Sequence, residues 1–205
     1  MSIKTIIFDW AGVFCSPGEP FAHPKLADET NLTVDQMGEK TKSIQALYYT
    51  GKITTTDFWS KAKELLGVNE MSEDELNRAY LSSYRLYPEM LALAEKLKKN
   101  YQTAILSNLT ELMSAEITER HNLKDKFHHL FFSNEIGYAK PDERAFNFAL
   151  NELQAKPEET IFIDDSATNV AAAQKIGLTT ILFSNPNQCQ AALKNLGIKV
   201  WLIYW

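Results

Sequence analysis

Only two cysteines, Cys15 and Cys189, stand in 205 residues, in neither a CxxC pair nor a dense spacing. That excludes a disulfide framework and suits a reducing compartment with both thiols free. Basic charge is also short. The 21 Lys and Arg against 26 Asp and Glu give a net charge of −5 with the signs interspersed, so there is no basic stripe to displace counterions from nucleic acid. No apolar run approaches bilayer-spanning length, and a strand pattern begins almost at the first residue. Neither a membrane span nor a signal peptide is expected, and a cytoplasmic protein is inferred. Internal repeats and low-complexity tracts are missing as well. What is present, 45% hydrophobic and 23% charged residues, is an ordinary globular composition, and the length suits one core carrying an insertion.

Short apolar runs, TIIFDW, YQTAILSN, HLFFS, TIFIDD and TTILFS, alternate with amphipathic stretches. Continuous Ile, Leu and Phe without polar alternation predicts strands covered on both faces, as in a parallel sheet. Between them, PEMLALAEKLKKN, TELMSAEITERHN, DERAFNFALNEL and ATNVAAAQKIG carry apolar residues at helical spacing. The expected fold is α/β, an open doubly wound parallel sheet of Rossmann-like form. Residues 16–87 break the rhythm: after the turn-rich SPGEP come helical segments and no buried strand. They are expected to form a helical cap inserted in a core made of residues 1–15 and 88–205. Tyr48, Tyr49, Phe58, Trp59, Tyr80 and Tyr84 are assigned to the cap's own core, with one or two facing the site. The terminal KVWLIYW reads as an added strand or a lid, or as a dimer surface.

In an open α/β sheet, ligands bind beyond the carboxyl ends of the strands. Four endings gather polar residues there: Asp9, Ser107 with Asn108, Lys140 in GYAKPD, and Asp164 with Asp165. Singly, each has a plain reading. Asn108 with Glu111 makes a capping box, Lys140 before Pro141 suits a helix start, and the acidic pair caps the helix that follows. Asp9 resists such a reading, since a wholly apolar strand that ends in a carboxylate followed by Gly12 builds a turn or a site. Together and in order, the set suits phosphoryl chemistry: a carboxylate to attack phosphorus, with a cation and a divalent metal to neutralise phosphate oxygens. His23, His121, His128 and His129 show no ligand spacing and are read as surface or satisfied core residues.

The segments IIFDWAGVF, ILSN, NEIGYAKPD and IFIDDSATNVAAAQKIG, in this order, resemble the four motifs of the haloacid dehalogenase-like hydrolase superfamily. The resemblance spans essentially the whole chain, and the 16–87 insertion matches the position of the family's small helical cap. It implies Asp9 as the nucleophile that forms an aspartyl-phosphate, Ser107 and Asn108 as holders of phosphate oxygens, and Lys140 as the residue that orients both. It implies Mg2+ held by Asp9, the backbone carbonyl of Ala11 and Asp165, with Asp164 direct or through water. The implied partner is a small phosphorylated or phosphonate metabolite, and the chain a monomer or homodimer.

One position departs from the family pattern. Family phosphatases carry a second aspartate where this chain has Ala11, and that aspartate protonates the leaving oxygen and activates water. Positioned acid-base catalysis contributes roughly 10²–10⁴-fold. Alanine keeps a backbone carbonyl for a metal and deletes the proton shuttle. Three readings follow. The first is an Mg2+-dependent phosphohydrolase of narrowed activity. In the second, DWAG is similar to motif one of phosphonoacetaldehyde hydrolases, which cleave a carbon-phosphorus bond through a cap-lysine Schiff base; Lys40, Lys42 and Lys52 are the candidates. The third is a catalytically silent member that binds a phosphometabolite or a protein.

Overall fold

A computed structural model describes residues 2–16, 20–21, 23–68 and 70–199 of the chain. Its elements run β1 (Thr5–Phe8), α1 (Pro24–Thr30), α2 (Val34–Tyr49), α3 (Thr55–Leu66), α4 (Glu73–Ser82), α5 (Pro88–Lys98), β2 (Gln102–Ser107), α6 (Glu111–Arg120), α7 (Leu123–Lys126), β3 (His129–Phe132), α8 (Ser133–Ile136), α9 (Glu143–Leu153), β4 (Thr160–Asp164), α10 (Ala167–Lys175), β5 (Thr179–Leu182) and α11 (Pro186–Asn195). The five strands form one parallel sheet in the order β3-β2-β1-β4-β5. This is the α/β doubly wound architecture expected from the five apolar runs.

Both faces of the sheet are buried. Ile6, Phe8, Ile105 and Ile163 point into one core with Met90, Leu93, Ile117 and Leu193. Ile7, Ala104, Leu106 and Phe162 point into the other with Phe146, Ala149 and Ala173. A strand whose alternate side chains must all be apolar loses the in-out pattern of a half-exposed sheet. Register then sets the site. Phe8 lies opposite both Ile105 and Ile163, so Asp9 and Asp164 leave neighbouring strands at the same level. The chain winds one way from β1 through β2 to β3 and the other way to β4 and β5, so the switch point falls between β1 and β4.

Helices α1 to α4 share a hydrophobic cluster of their own, including Leu26, Met37, Ile44, Phe58, Trp59 and Leu76. Three of them start with reciprocal capping boxes, Thr33 with Gln36, Thr54 with Asp57 and Ser72 with Glu75, which satisfy backbone donors that helix formation orphans. Of the six aromatic residues assigned to this layer, Tyr48, Phe58 and Trp59 belong to it. Tyr80 sits instead in the core of the sheet domain, with Tyr84 packed against it. The reason is that α4 packs on α6, so one face of α4 belongs to the neighbouring layer. The helical layer also meets α8 closely at Gly51, whose φ is +67° and where a Cβ would lie 2.0 Å from the Asn134 carbonyl oxygen; a side chain there has no room.

Four helices have no counterpart in the sequence reading. α7, α8 and α1 each bury a single residue, Leu123, Ser133 and Leu26, so none carries an apolar repeat at helical spacing. α11 buries Cys189, Gln190 and Leu193, a stripe hidden by its Asn and Gln content. Cys15 and Cys189 are buried free thiols. No helix among the described residues is long and apolar enough to cross a membrane. Of KVWLIYW, residues 200–205 lie outside the described residues.

Candidate active site

Asp9 follows β1 and Asp164 ends β4, and between their carboxylates stands the ammonium of Lys140, 2.9 Å from Asp9 Oδ1 and 2.7 Å from Asp164 Oδ2. All three are buried, at 7%, 0% and 4% exposure for Asp9, Asp164 and Lys140. Lys140 is therefore not a surface residue at a helix start; it lies between two strand ends, with Phe162's ring 5.3 Å from its Nζ. Asp165 is exposed, yet it offers a carboxylate oxygen within 4.8 Å of oxygens from Asp9 and Asp164. Among the described residues, one ammonium pairs with two of these three carboxylates, which leaves two negative charges unbalanced. Burial pushes the Asp9 carboxyl up to about 6, with Lys140 opposing and Asp164 adding to the rise. Asp165 is also raised, by partial burial and then by Asp164. Hard oxygen donors with an excess of two negative charges fit a small divalent cation.

The two aspartates of the acidic pair do different things. Asp164 Oδ1 accepts from the Ser166 N–H at 2.8 Å, and the Asn169 amide donates to both of its oxygens at 3.2 and 3.1 Å. With Lys140 added, its lone pairs are taken up by protein donors. Asp165 has no such set. Neither aspartate caps α10; Ser166 does. Gly12 explains why β1 is followed by glycine: its φ is +85°, and a Cβ would lie 2.1 Å from Asp165 Oδ2. The backbone after Asp9 can approach Asp165 only without a side chain.

Asn108 is not part of a capping box, since Thr110 caps α6 by accepting from the Met113 N–H. Its amide donates to the Lys140 carbonyl at 2.7 Å and its Oδ1 accepts from the Lys140 N–H at 2.8 Å. This two-point clamp holds the backbone that carries the buried ammonium. Ser107 ends β2 with a buried hydroxyl that has no hydrogen-bond partner among the described residues. It stands near enough to draw the Asp9 carboxyl down slightly, although no hydrogen bond of good geometry joins the two. A buried hydroxyl without a partner beside a carboxylate is a place for a ligand oxygen.

Ala11 and Asn108 join this cluster to a cavity of about 120 Å³, which Trp10, Tyr49, Tyr80, Tyr84, Leu109 and Met113 also line. Ala11 presents only a methyl group. Cys15 borders the cavity too, but burial and then Asp9 push its thiol up to about 12, so it stays protonated. Lys40, Lys42 and Lys52 are all exposed, and none lines this cavity. Lys42 pairs with Glu39, and Lys52 borders a separate space of about 230 Å³ with Thr54, Asp57, Glu111 and Asn134. The histidines have local partners. His23 caps α1, His121 pairs with the Tyr84 hydroxyl at 3.0 Å, His128 accepts from the Thr103 N–H, and His129 stacks on Phe131.

Asn169 is the site residue that sequence reasoning missed. The signal was its place five residues after Asp164, one turn into the next helix, where an amide reaches back to the strand end. Of the six aromatic residues, one or two of which are expected to face the site, Tyr49, Tyr80 and Tyr84 border the cavity.

A doubly wound sheet with a carboxylate, lysine and acidic pair at its switch point defines a phosphatase-like hydrolase. The chain belongs to the haloacid dehalogenase-like hydrolase family, whose sequence pattern matches residues 3–177. It is 27% identical over 190 residues to D-ribitol-5-phosphate phosphatase of Bacteroides thetaiotaomicron, covering 87% of this chain and 90% of that protein. It is 26% identical over 202 residues to bifunctional epoxide hydrolase 2 of Sus scrofa, covering 89% of this chain but 36% of that protein. Its fold is similar to the crystal structure of a HAD family enzyme from B. thetaiotaomicron, with a TM-score of 0.80 and 24% identity over 90% of this chain and 95% of that one. That enzyme is also solved with magnesium, and an aspartate-to-alanine variant of it with magnesium and inorganic phosphate.

Proposed function

We propose that the protein is an Mg2+-dependent phosphohydrolase that transfers the phosphoryl group of a small phosphorylated metabolite to water through Asp9. The observation that carries the reading is the buried Lys140 ammonium, held 2.9 Å from Asp9 and 2.7 Å from Asp164 beside a third carboxylate. Asp9, Asp165 and the Ala11 carbonyl would hold the metal, which supplies positive charge for the phosphate and for the carboxylates around it. Asp164 orients Lys140. The Trp10 N–H, 2.7 Å from Asp9 Oδ1, and Lys140 fix the carboxylate's rotamer. With its carboxyl at about 6, Asp9 is mostly ionised at neutral pH and able to attack.

A carboxylate oxygen of Asp9 bonds to phosphorus as the ester P–O bond breaks, and the leaving oxygen takes the bonding pair. Water then attacks phosphorus and gives up a proton to solvent, the acyl-phosphate P–O bond breaks with its pair returning to the carboxylate, and inorganic phosphate leaves with Asp9 regenerated. Ser107 and Lys140 face the transferring oxygens, and Asn108 acts through its clamp on Lys140. Ala11 supplies no proton to the leaving oxygen. Residues 16–87 serve as the cap over the core of residues 1–15 and 88–205. The exposed positions of Lys40, Lys42 and Lys52 give no support to a Schiff-base route.

The purified protein is expected to release phosphate from a monoester only with Mg2+ present. Acid quench during turnover of radiolabelled substrate should leave label on the peptide that contains Asp9. Release that persists in excess EDTA, or label confined to another peptide, overturns the assignment.

A further inference from the structure

Resting on the phosphohydrolase reading, we infer that the substrate is an aryl phosphate: a phosphate monoester whose leaving group is one uncharged aromatic ring. Two independent observations converge on it. The first is chemical. The position beside Asp9 that would carry a leaving-group acid is the methyl group of Ala11, and among the described residues the cavity next to it is lined by no carboxylate and no other charged side chain. The Cys15 thiol is pushed up to about 12. The Tyr84 hydroxyl is engaged by His121, and the Tyr80 hydroxyl lies against Thr110 and Tyr49. A leaving oxygen here departs without a proton. Phenolates do so readily because phenols are acidic, near pH 10, whereas simple alkoxides do not.

The second observation is shape and surface. The cavity holds about 120 Å³, close to the ~150 Å³ of an apolar protein cavity that accepts benzene. Its walls are indole and phenol rings with Leu109 and Met113, a lining that favours edge and face contact with a further ring. A polyol would bring several hydroxyls into a space where the Tyr80 and Tyr84 hydroxyls and the Asn108 amide already have protein partners, and each would leave water with little compensation. In the reaction, the aryl P–O bond breaks toward the oxygen, Asp9 gains the phosphoryl group, and the phenolate takes a proton from solvent after it departs.

The test pairs turnover with binding. Phenyl phosphate should exceed propyl phosphate and ribitol 5-phosphate in kcat/KM, which reads the step that expels the leaving group whichever later step limits kcat, by at least about 100-fold, the lower end of what a missing general acid withholds. Benzylphosphonate, which cannot be hydrolysed, should bind at least about tenfold more tightly than methylphosphonate in the Mg2+-loaded protein, since burial of a ring adds apolar contact that a methyl lacks. A preference for either alkyl ester, or equal affinity for the two phosphonates, overturns the inference and leaves the phosphohydrolase reading standing. If no monoester is hydrolysed, that reading falls instead, and tighter binding of benzylphosphonate still supports the ring site.

Discussion

Replacement of Asp9 by asparagine should abolish turnover and at the same time stabilise the metal-free protein, the reverse of what a buried substitution usually does. The carboxyl rises from its ordinary 3.8 to about 6, chiefly through burial. Because the folded value is the higher one, the folded state holds the proton more tightly than the unfolded state between those two values. Asp9's favourable contribution is complete below about pH 4 and is lost as pH rises through about 6. At about 1.4 kcal/mol per pH unit, the interval amounts to about 3 kcal/mol, an upper figure for so coupled a cluster. Asparagine is close in shape, can still accept from the Trp10 N–H and Lys140, and never ionises. Wild type and Asp9→Asn should therefore differ little at pH 4, while at pH 8 the variant should be the more stable by up to about 3 kcal/mol. For a chain of this size that is roughly 6–12 °C in Tm. The assay is thermal and urea unfolding from pH 4 to 8 in EDTA. Saturating Mg2+ should raise the wild type and move the variant less, because the variant lacks one anionic ligand. A variant less stable than wild type at pH 8 without metal, or a difference flat with pH, would refute the claim that Asp9 is held ionised at a cost.

Lys140→Met should behave in the opposite way. It removes the one cation between Asp9 and Asp164, and an uncompensated buried charge destabilises by about 3–5 kcal/mol. Unfolding curves should show the loss at pH 8 and partial recovery toward pH 5, as Asp9, no longer drawn down by Lys140, takes a proton; a loss independent of pH would sink the idea. Ala11→Asp should restore an acid and a base, raising kcat on propyl phosphate by at least about tenfold and on phenyl phosphate by less. If breakdown of the phosphorylated Asp9 limits both substrates, they should gain alike, and wild type should accumulate label that the variant clears. A folded, Mg2+-binding Ala11→Asp protein with neither change means proton transfer is not what this site lacks.

The five strands and the polar residues at their ends were legible in the amino-acid order. Strands buried on both faces must be continuously apolar, so TIIF and TIFI announce themselves, and a carboxylate at the end of such a run has few other uses. The amino-acid order also shows that Ala11 stands two residues from Asp9 whatever the fold, so that position offers no side-chain carboxylate. Tertiary structure alone decided the partners. Whether Asn108 caps α6 or clamps Lys140 depends on bringing together residues 32 apart in sequence. That Asp164 is saturated while Asp165 is open depends on Lys140 arriving from the chain after β3 and on Asn169 reaching back from α10. The division of aromatic residues followed the same logic. A helical period shows that Tyr80 is buried and says nothing about which layer buries it. The packing of α4 on α6 put Tyr80 beside Ala11, and so made a cavity wall from what sequence spacing had presented as cap interior.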